Sequence, residues 1–173
     1  AVLRAKIGLV PQKSILFSGT IADNIRYGNR HASDDEVYHA ARVAQALDFI
    51  SELEDGFDAV IDQGGTNLSG GQKQRLAIAR AVVRKPSIYI FDDSFSALDY
   101  ETDLKLRQAL RSETKNKVVI IVAQRISTIK HADQIIVLDK GKMVGKGTHE
   151  QLMETCEVYR EIAASQMGEV ETG

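Results

Sequence analysis

A serine followed by two glycines at the mouth of a helical pattern is a place where an anion can dock. The run Leu68-Ser69-Gly70-Gly71-Gln72-Lys73-Gln74-Arg75 has that form. The serine offers a hydroxyl, the glycines leave backbone N–H groups uncovered, and the helix N-terminus adds unpaired donors and the positive end of its dipole. A phosphate suits this stretch better than the alternative, an ordinary capped helix after a glycine turn. Gly71 is singled out because any side chain there fills the space through which a phosphate approaches the backbone. Further on, the apolar run Ile88-Tyr89-Ile90-Phe91 ends in Asp92 and Asp93. Carboxylates at the C-terminal end of a buried parallel strand lie where α/β sheets place ligands, and they suit Mg²⁺ held through its waters. Taken alone, however, the two acids are better read as solvated turn residues.

Strand and helix patterns that position these groups alternate along the whole chain without linker or repeat, which predicts a layered α/β domain. A short first strand over residues 6–10 is stopped by Pro11. Ser33 with Glu36 forms a capping box ahead of Val37, Ala40, Ala41, Ala44 and Leu47 on one face, a helix expected to run to about Ser51. Ser69 with Gln72 opens a second helix carrying Leu76, Ala79 and Val83, which closes on Arg84-Lys85 before Pro86. A buried strand over residues 88–91 comes next. Asp99 is placed to cap a helix from Tyr100, and residues 117–123, rich in β-branched side chains, predict another buried strand. Lys140-Gly141 suits a hairpin turn between 134–138 and 142–144. Thr148 with Gln151 then opens an amphipathic closing helix through Ala164.

Composition narrows the function classes. At 173 residues the chain is long enough for one domain with its own core. Lys and Arg total 22 against 24 Asp and Glu, so charge gives no reason to expect nucleic acid as the main partner. Cys156 is the single cysteine and the four histidines lack metal-ligand spacing, which fits a reducing compartment without structural zinc. The longest apolar run, residues 118–123, is far shorter than the roughly 20 residues that cross a bilayer as a helix. No signal peptide is expected, and the missing initiator methionine suggests a fragment.

The order of the motifs carries the assignment. Leu68 to Arg75, then Ile88 to Asp93, then Ser96-Ala97-Leu98-Asp99, then a strand running into Gln124-Arg125, resembles the ABC ATPase family, with its signature motif, Walker B, D-loop and switch region in sequence. Val10-Pro11-Gln12 matches the family's Q-loop. Phe17-Ser18-Gly19-Thr20-Ile21 with Asn24-Ile25 looks like the exporter version of the segment after that loop, and Ala132-Asp133-Gln134-Ile135 and Gly147-Thr148-His149-Glu150-Gln151-Leu152 resemble the exporter tail. The resemblance covers essentially the whole chain. It implies the α/β P-loop NTPase (ABC ATPase) fold, starting after the Walker A motif. The helical signature subdomain then spans about 13–85, Walker B to the switch region 86–147, and a C-terminal helix and tail 148–173. It also implies ATP and Mg²⁺ as cofactors, Asp92 and Gln12 at the metal, Asp93, Gln124 and Gln12 at catalytic positions, and Ser69, Gly70, Gly71, Gln72 and Asp99 at nucleotide.

Departures from the family pattern are equally informative. No Gly-x-x-x-x-Gly-Lys-Ser/Thr occurs, Asp93 stands where the family usually has glutamate, and Gln124 replaces the switch histidine. Gln63 likewise replaces a glutamate found in many exporters. Aspartate is one methylene shorter than glutamate, whereas a general base must come within about 2.6–3.2 Å of its proton. A neutral amide at Gln124 donates a hydrogen bond but lacks an imidazolium's charge. In this family two domains sandwich two nucleotides, each between one domain's phosphate loop, Walker B and switch and the other's signature. The resemblance therefore implies a slow site of this chain's own and an intact signature serving a partner's site, as in the impaired half of heterodimeric bacterial exporters. The expected partners are a second ABC subunit and a transmembrane domain upstream in the same polypeptide, without nucleic acid, at the cytoplasmic face of a bacterial membrane. The alternatives are a homodimeric exporter with Asp93 as base, and a nucleotide-sensing ABC ATPase outside transport. An ABC ATPase clamping DNA is disfavoured by the exporter-like segments and by the absence of coiled-coil heptads.

Overall fold

The chain enters through a short helix, α1 (Val2–Ala5), and a strand, β1 (Ile7–Val10), which Pro11 ends because it cannot supply an N–H. In this computed structural model the described residues are 2–168, and the segment up to Val122 and the segment from Ala123 form separate compact units.

In the first unit, β2 (Gly19–Thr20) leads into α2 (Ile21–Arg26), followed by α3 (Asp34–Val43) and α4 (Leu47–Ser51). Next come β3 (Val60–Ile61), antiparallel to β2, and the long helix α5 (Gly70–Val83). The strand β4 (Ile88–Asp92), the helix α6 (Tyr100–Glu113) and the strand β5 (Val118–Val122) complete it. The parallel sheet has the order β1-β4-β5, with Ile7 opposite Ile88 and Ile88 opposite Val118. Its middle strand buries Tyr89 and Phe91, whose rings lie parallel 6.0 Å apart. α5 packs on α2, α3 and β1, and its Leu76, Ala77, Ile78 and Ala79 join Val10, Ile21, Ile25 and Phe91 in the core.

The capping residues set the helix starts as the sequence predicts. Ser33 and Glu36, and Ser69 and Gln72, exchange their reciprocal hydrogen bonds, and the Asp99 carboxylate accepts from the Thr102 N–H at 2.9 Å. α3 does not continue to Ser51. Gln45 takes a φ of 55°, which breaks the helix and turns its carbonyl toward the Arg75 guanidinium, 2.8 Å away. That guanidinium also lies 4.8 Å from the centre of the Phe49 ring in α4, so the break is held from α5.

β5 also differs from expectation. Its β-branched run pairs with β4, but Val118, Val119, Ile120 and Val122 are exposed, because the strand lies at the end of the sheet order among the described residues. A continuous apolar run is the composition of a strand covered on both faces.

The second unit holds α7 (Ile126–Ile129), the antiparallel pair β6 (Ile135–Asp139) and β7 (Lys142–Gly147), then α8 (His149–Thr155) and α9 (Glu157–Gly168). Lys140 and Gly141 both have positive φ, 46° and 76°, as a two-residue hairpin turn of the primed type requires. The closing helix is not continuous. Cys156 is extended at φ −117° and ψ 108° and buries its thiol with Leu152 and Tyr159 against Ile135 and Val137, so one amphipathic pattern becomes α8 and α9. Residues 169–173 of the expected tail lie outside the described ones.

Tyr89 and β5 each generate a test. The Tyr89 ring is fully buried, and its hydroxyl has no hydrogen-bond partner among the described residues. Burial first, then the nearby Glu113 charge, pushes its pKa from 10.0 up to about 12. Below pH 10 both folded and unfolded chains keep this proton. As pH rises from 10 toward about 12 only the unfolded chain releases it, so stability falls across that window. Tyr89→Phe is expected to abolish this alkaline loss and to cost nothing at pH 7, since no hydrogen bond is removed. Urea midpoints of the dilute chain at pH 7 and 11 measure this, and a clear destabilisation at pH 7 would show that the hydroxyl has a partner. The exposed apolar edge of β5 predicts that the same 173-residue chain self-associates at tens of micromolar. Sedimentation velocity should show it, with Val119→Lys or Ile120→Lys reducing it; a monomer at all concentrations would refute the expectation.

Candidate functional site

The end of β1 and the end of β4 lie side by side in register, Val10 opposite Phe91, so the segments leaving them run past each other. Gln12 and Asp93, 81 positions apart in sequence, meet there, the Gln12 Nε2 donating to Asp93 Oδ2 at 3.2 Å. Asp93 has a φ of 45°, a left-handed conformation that non-glycine residues adopt rarely and that aspartate tolerates better than most. Its own N–H donates to the Val122 carbonyl at 2.8 Å, which extends the β4–β5 pairing through the turn and fixes the carboxylate's direction. Ser94, buried, donates from Oγ to the Val10 carbonyl at 2.8 Å and binds the two strand ends together.

Asp92, the last residue of β4, is exposed, with no hydrogen bond to its carboxylate among the described residues. Gln12 donates through Nε2, which leaves Oε1 as a free acceptor. These oxygens fit Mg²⁺, a hard cation that binds through one or two carboxylates and keeps waters and phosphate oxygens in its remaining positions. Among the described residues no cluster of three His, Cys, Asp or Glu forms an all-protein cage. A cation placed at Asp92 and Gln12 would need its remaining oxygens from water or from a bound ligand.

The signature residues form a second constellation at the start of α5. Ser69 Oγ accepts from the Gln72 N–H at 3.2 Å, and Gln72 Oε1 accepts from the Ser69 N–H at 2.9 Å. The hydroxyl proton of Ser69 and the Gln72 NH₂ stay available to an anion. Gly70 is exposed, and a Cβ there would meet nothing within 4 Å. Gly71 differs, since a Cβ would stand 3.1 Å from the Ala97 carbonyl oxygen and 3.7 Å from Leu98 Cδ2. The D-loop thus abuts the signature turn within one chain, and absence of a side chain at residue 71 serves that packing as well as any approaching phosphate. Asp99 is exposed at the far end of the D-loop, and the Thr102 N–H holds its carboxyl below the usual range.

Gln124 belongs to the second unit, where its carbonyl accepts from Gln166 Nε2 at 2.7 Å. Sequence reasoning missed the side chains that support the first two constellations. Arg80 of α5 donates to the carbonyls of Asn24 and Ile15 at 2.9 and 3.0 Å and to Asn24 Oδ1 at 3.0 Å, under the rings of Phe17 and Tyr27. Asn24, 2 % exposed, in turn bonds Phe17 through both its N–H and its carbonyl. Burial lowers the Arg80 pKa, yet a guanidinium stays charged, so these acceptors stabilise it. A glutamine and two arginines on a helix that otherwise buries Ala, Leu, Ile and Val was the available signal.

Comparisons with known proteins show the family to which these elements belong. Residues 1–96 match the family model described as ABC transporter. An uncharacterized ABC transporter ATP-binding protein of Mycobacterium tuberculosis is 54 % identical over 167 residues, 95 % of this chain and 28 % of that protein. One from Bacillus subtilis is 48 % identical over 166 residues, 96 % of this chain and 29 % of the relative. The solved structure of a bacterial Atm1-family ABC exporter with ATP bound superposes with a TM-score of 0.92 at 43 % identity, over 95 % of this chain and 29 % of that one. The chain spans less than a third of the length of each of these proteins. With the family model covering more than half of its residues and the parallel sheet, signature helix and Gln12–Asp93 junction in place, the chain belongs to the ABC transporter family.

Proposed function

We propose that this chain is the nucleotide-binding segment of an ATP-driven ABC exporter, that its signature turn completes a partner subunit's ATP site, and that its own site turns over slowly. The observation that carries the last part is the contact between Gln12 and Asp93. The carboxylate at residue 93 is short, held by a left-handed backbone and already engaged by the Gln12 amide, so its reach toward a water beyond Gln12 is curtailed. Gln124 brings no positive charge to a developing phosphate anion.

The roles divide accordingly. Asp92 and the Gln12 amide oxygen hold Mg²⁺ with the phosphates at this chain's own site, and Gln124 contributes an amide. Ser69, Gly70, Gly71 and Gln72 present a hydroxyl, N–H groups and a helix N-terminus to the γ-phosphate held by the other subunit, with Asp99 beside them. ATP bound between the two surfaces supplies the free energy for transport. A membrane domain elsewhere in the longer polypeptide supplies the path, as expected from relatives more than three times this length, and places the segment at the cytoplasmic face of a bacterial membrane. Among the described residues no helix is long and apolar enough to cross it.

The full-length heterodimer provides the test. Asp93→Glu combined with Gln124→His is expected to raise total ATP turnover severalfold, whereas Asp93→Asn leaves it within about twofold. If Asp93→Asn instead abolishes hydrolysis, Asp93 is a working base and the slow-site assignment is wrong.

The signature turn is best tested at Gly70, because a Cβ there meets nothing within 4 Å, whereas one at Gly71 lies 3.1 Å from the Ala97 carbonyl oxygen. Gly70→Gln in this chain is expected to leave the melting temperature unchanged and to lower steady-state ATPase by about 10²-fold or more, in line with the loss of oxyanion donors. The matching change in the partner's signature is expected to be milder. Equal losses from the two single-subunit variants would mean equal sites.

A further inference from the structure

Four consecutive connections fix the segment that leaves β1. The Val10 carbonyl accepts from Ser94 Oγ at 2.8 Å, and the Pro11 carbonyl accepts from Gln74 Nε2 at 3.4 Å. The Gln12 amide donates to Asp93 at 3.2 Å, and the Ser14 hydroxyl donates to Gln74 Oε1. Ser94 and Asp93 belong to the turn after β4, whereas Gln74 belongs to α5 one turn past the signature glycines. A single carboxamide in α5 therefore grips the chain on both sides of Gln12.

Gln74 is 3 % exposed, and its neighbours one turn further along α5, Ala77 and Ile78, are buried and apolar. A buried carboxamide with both ends engaged is stable there, and with either end released it is costly. Both connections therefore favour the same placement of residues 11–14. Nothing else on α5 contacts residues 11–14 by a hydrogen bond among the described residues; the next tie, Arg80 to the Ile15 carbonyl, begins beyond them.

We infer that Gln74 is a positioning residue for Gln12: it holds the turn at residues 11–14 so that the Gln12 amide stands against Asp93, and it makes that placement depend on where the signature helix sits. The inference rests on the nucleotide-site assignment above and deepens it, since it links the chain's own site to the surface offered to the partner. Gln74 is buried, with its carboxamide bonded to Pro11 and Ser14. It acts only through Gln12.

The experiment uses the full-length transporter with its partner subunit. Hydrogen exchange of residues 11–18 is compared between the unaltered protein and Gln74→Leu, and MgATP affinity at this chain's own site is measured for Gln74→Leu with and without Gln12→Ala. Exchange of 11–18 is expected to accelerate about tenfold while the amides of α5 stay protected, which shows the helix is intact. MgATP affinity is expected to fall about tenfold in the Gln12 background and by less than twofold once Gln12 is alanine, because the effect passes through that side chain. A purely structural role predicts the same loss in both backgrounds, and that result overturns the inference. So does unchanged exchange of residues 11–18. Should Gln74→Leu fail to fold, Ser14→Ala and Gln74→Glu, each removing one end of the connection, are measured in the same way. If the unaltered complex binds no MgATP at this site, the nucleotide assignment fails, and the exchange comparison still decides whether Gln74 holds the turn.

Discussion

A chain that leaves a parallel sheet without entering a helix must find partners for its carbonyls outside any ladder, and this requirement organises the first unit. The carbonyls of Val10, Pro11, Ile15 and Asn24 are satisfied by side chains: Ser94 from the turn after β4, and Gln74 and Arg80 from α5. Three polar groups are thereby drawn into a face that hydrophobic burial alone would make entirely aliphatic. They in turn fix where Gln12 stands, where the Phe17 and Tyr27 rings meet, tilted at 31° with centres 4.4 Å apart, and how α2 meets α5. The loop after β1 has little regular structure of its own, yet its course is determined.

α5 serves two purposes with different parts of one rod. At its N-terminus Ser69 and Gly70 are exposed and Gln72 half-buried, whereas further along Gln74, Arg75 and Arg80 reach to other segments of the chain. Arg75 holds the break between α3 and α4 open, and the Ala97 carbonyl beside Gly71 brings the D-loop against the same turn. The start of α5, the loop at Ser96–Asp99 and the α3–α4 junction are therefore pinned to one another by contacts within this chain.

Local rules were legible where a side chain answers a nearby backbone group. Ser33 with Glu36, Ser69 with Gln72, Asp99, Thr148 with Gln151 and the Lys140-Gly141 turn announce their elements because their partners lie within a few residues. α2 escaped notice although Thr20 and Asp23 form the same reciprocal cap, aspartate taking the place where glutamate is usual. The break at Gln45 depends on Arg75, 30 positions away, and the interruption at Cys156 on packing against β6 and β7, so neither can be read from helical periodicity. Exposure of β5 reflects its neighbours in the sheet and not its own composition. At the candidate site, motif order named Gln12 and Asp93 separately. Their contact, and the supporting Ser94 and Gln74, required the β1–β4 register to be seen.

The clasp at Arg80 has a mechanical consequence. An α-helix rises about 1.5 Å per residue, so Ser69 lies roughly 16 Å along α5 from Arg80 and Gln74 roughly 9 Å. If the helix swings about the clasp by about 10°, the signature turn moves about 3 Å, a full hydrogen-bond length, while Gln74 moves about 1.5 Å. The first displacement is enough to make or break a hydrogen bond at the exposed start of α5. The second is enough to part a 3.4 Å connection to Pro11. Pivot, handle and latch lie on one helix, and a tilt that shifts the buried Leu76 by about 1 Å shifts the start of α5 by nearly three times as much.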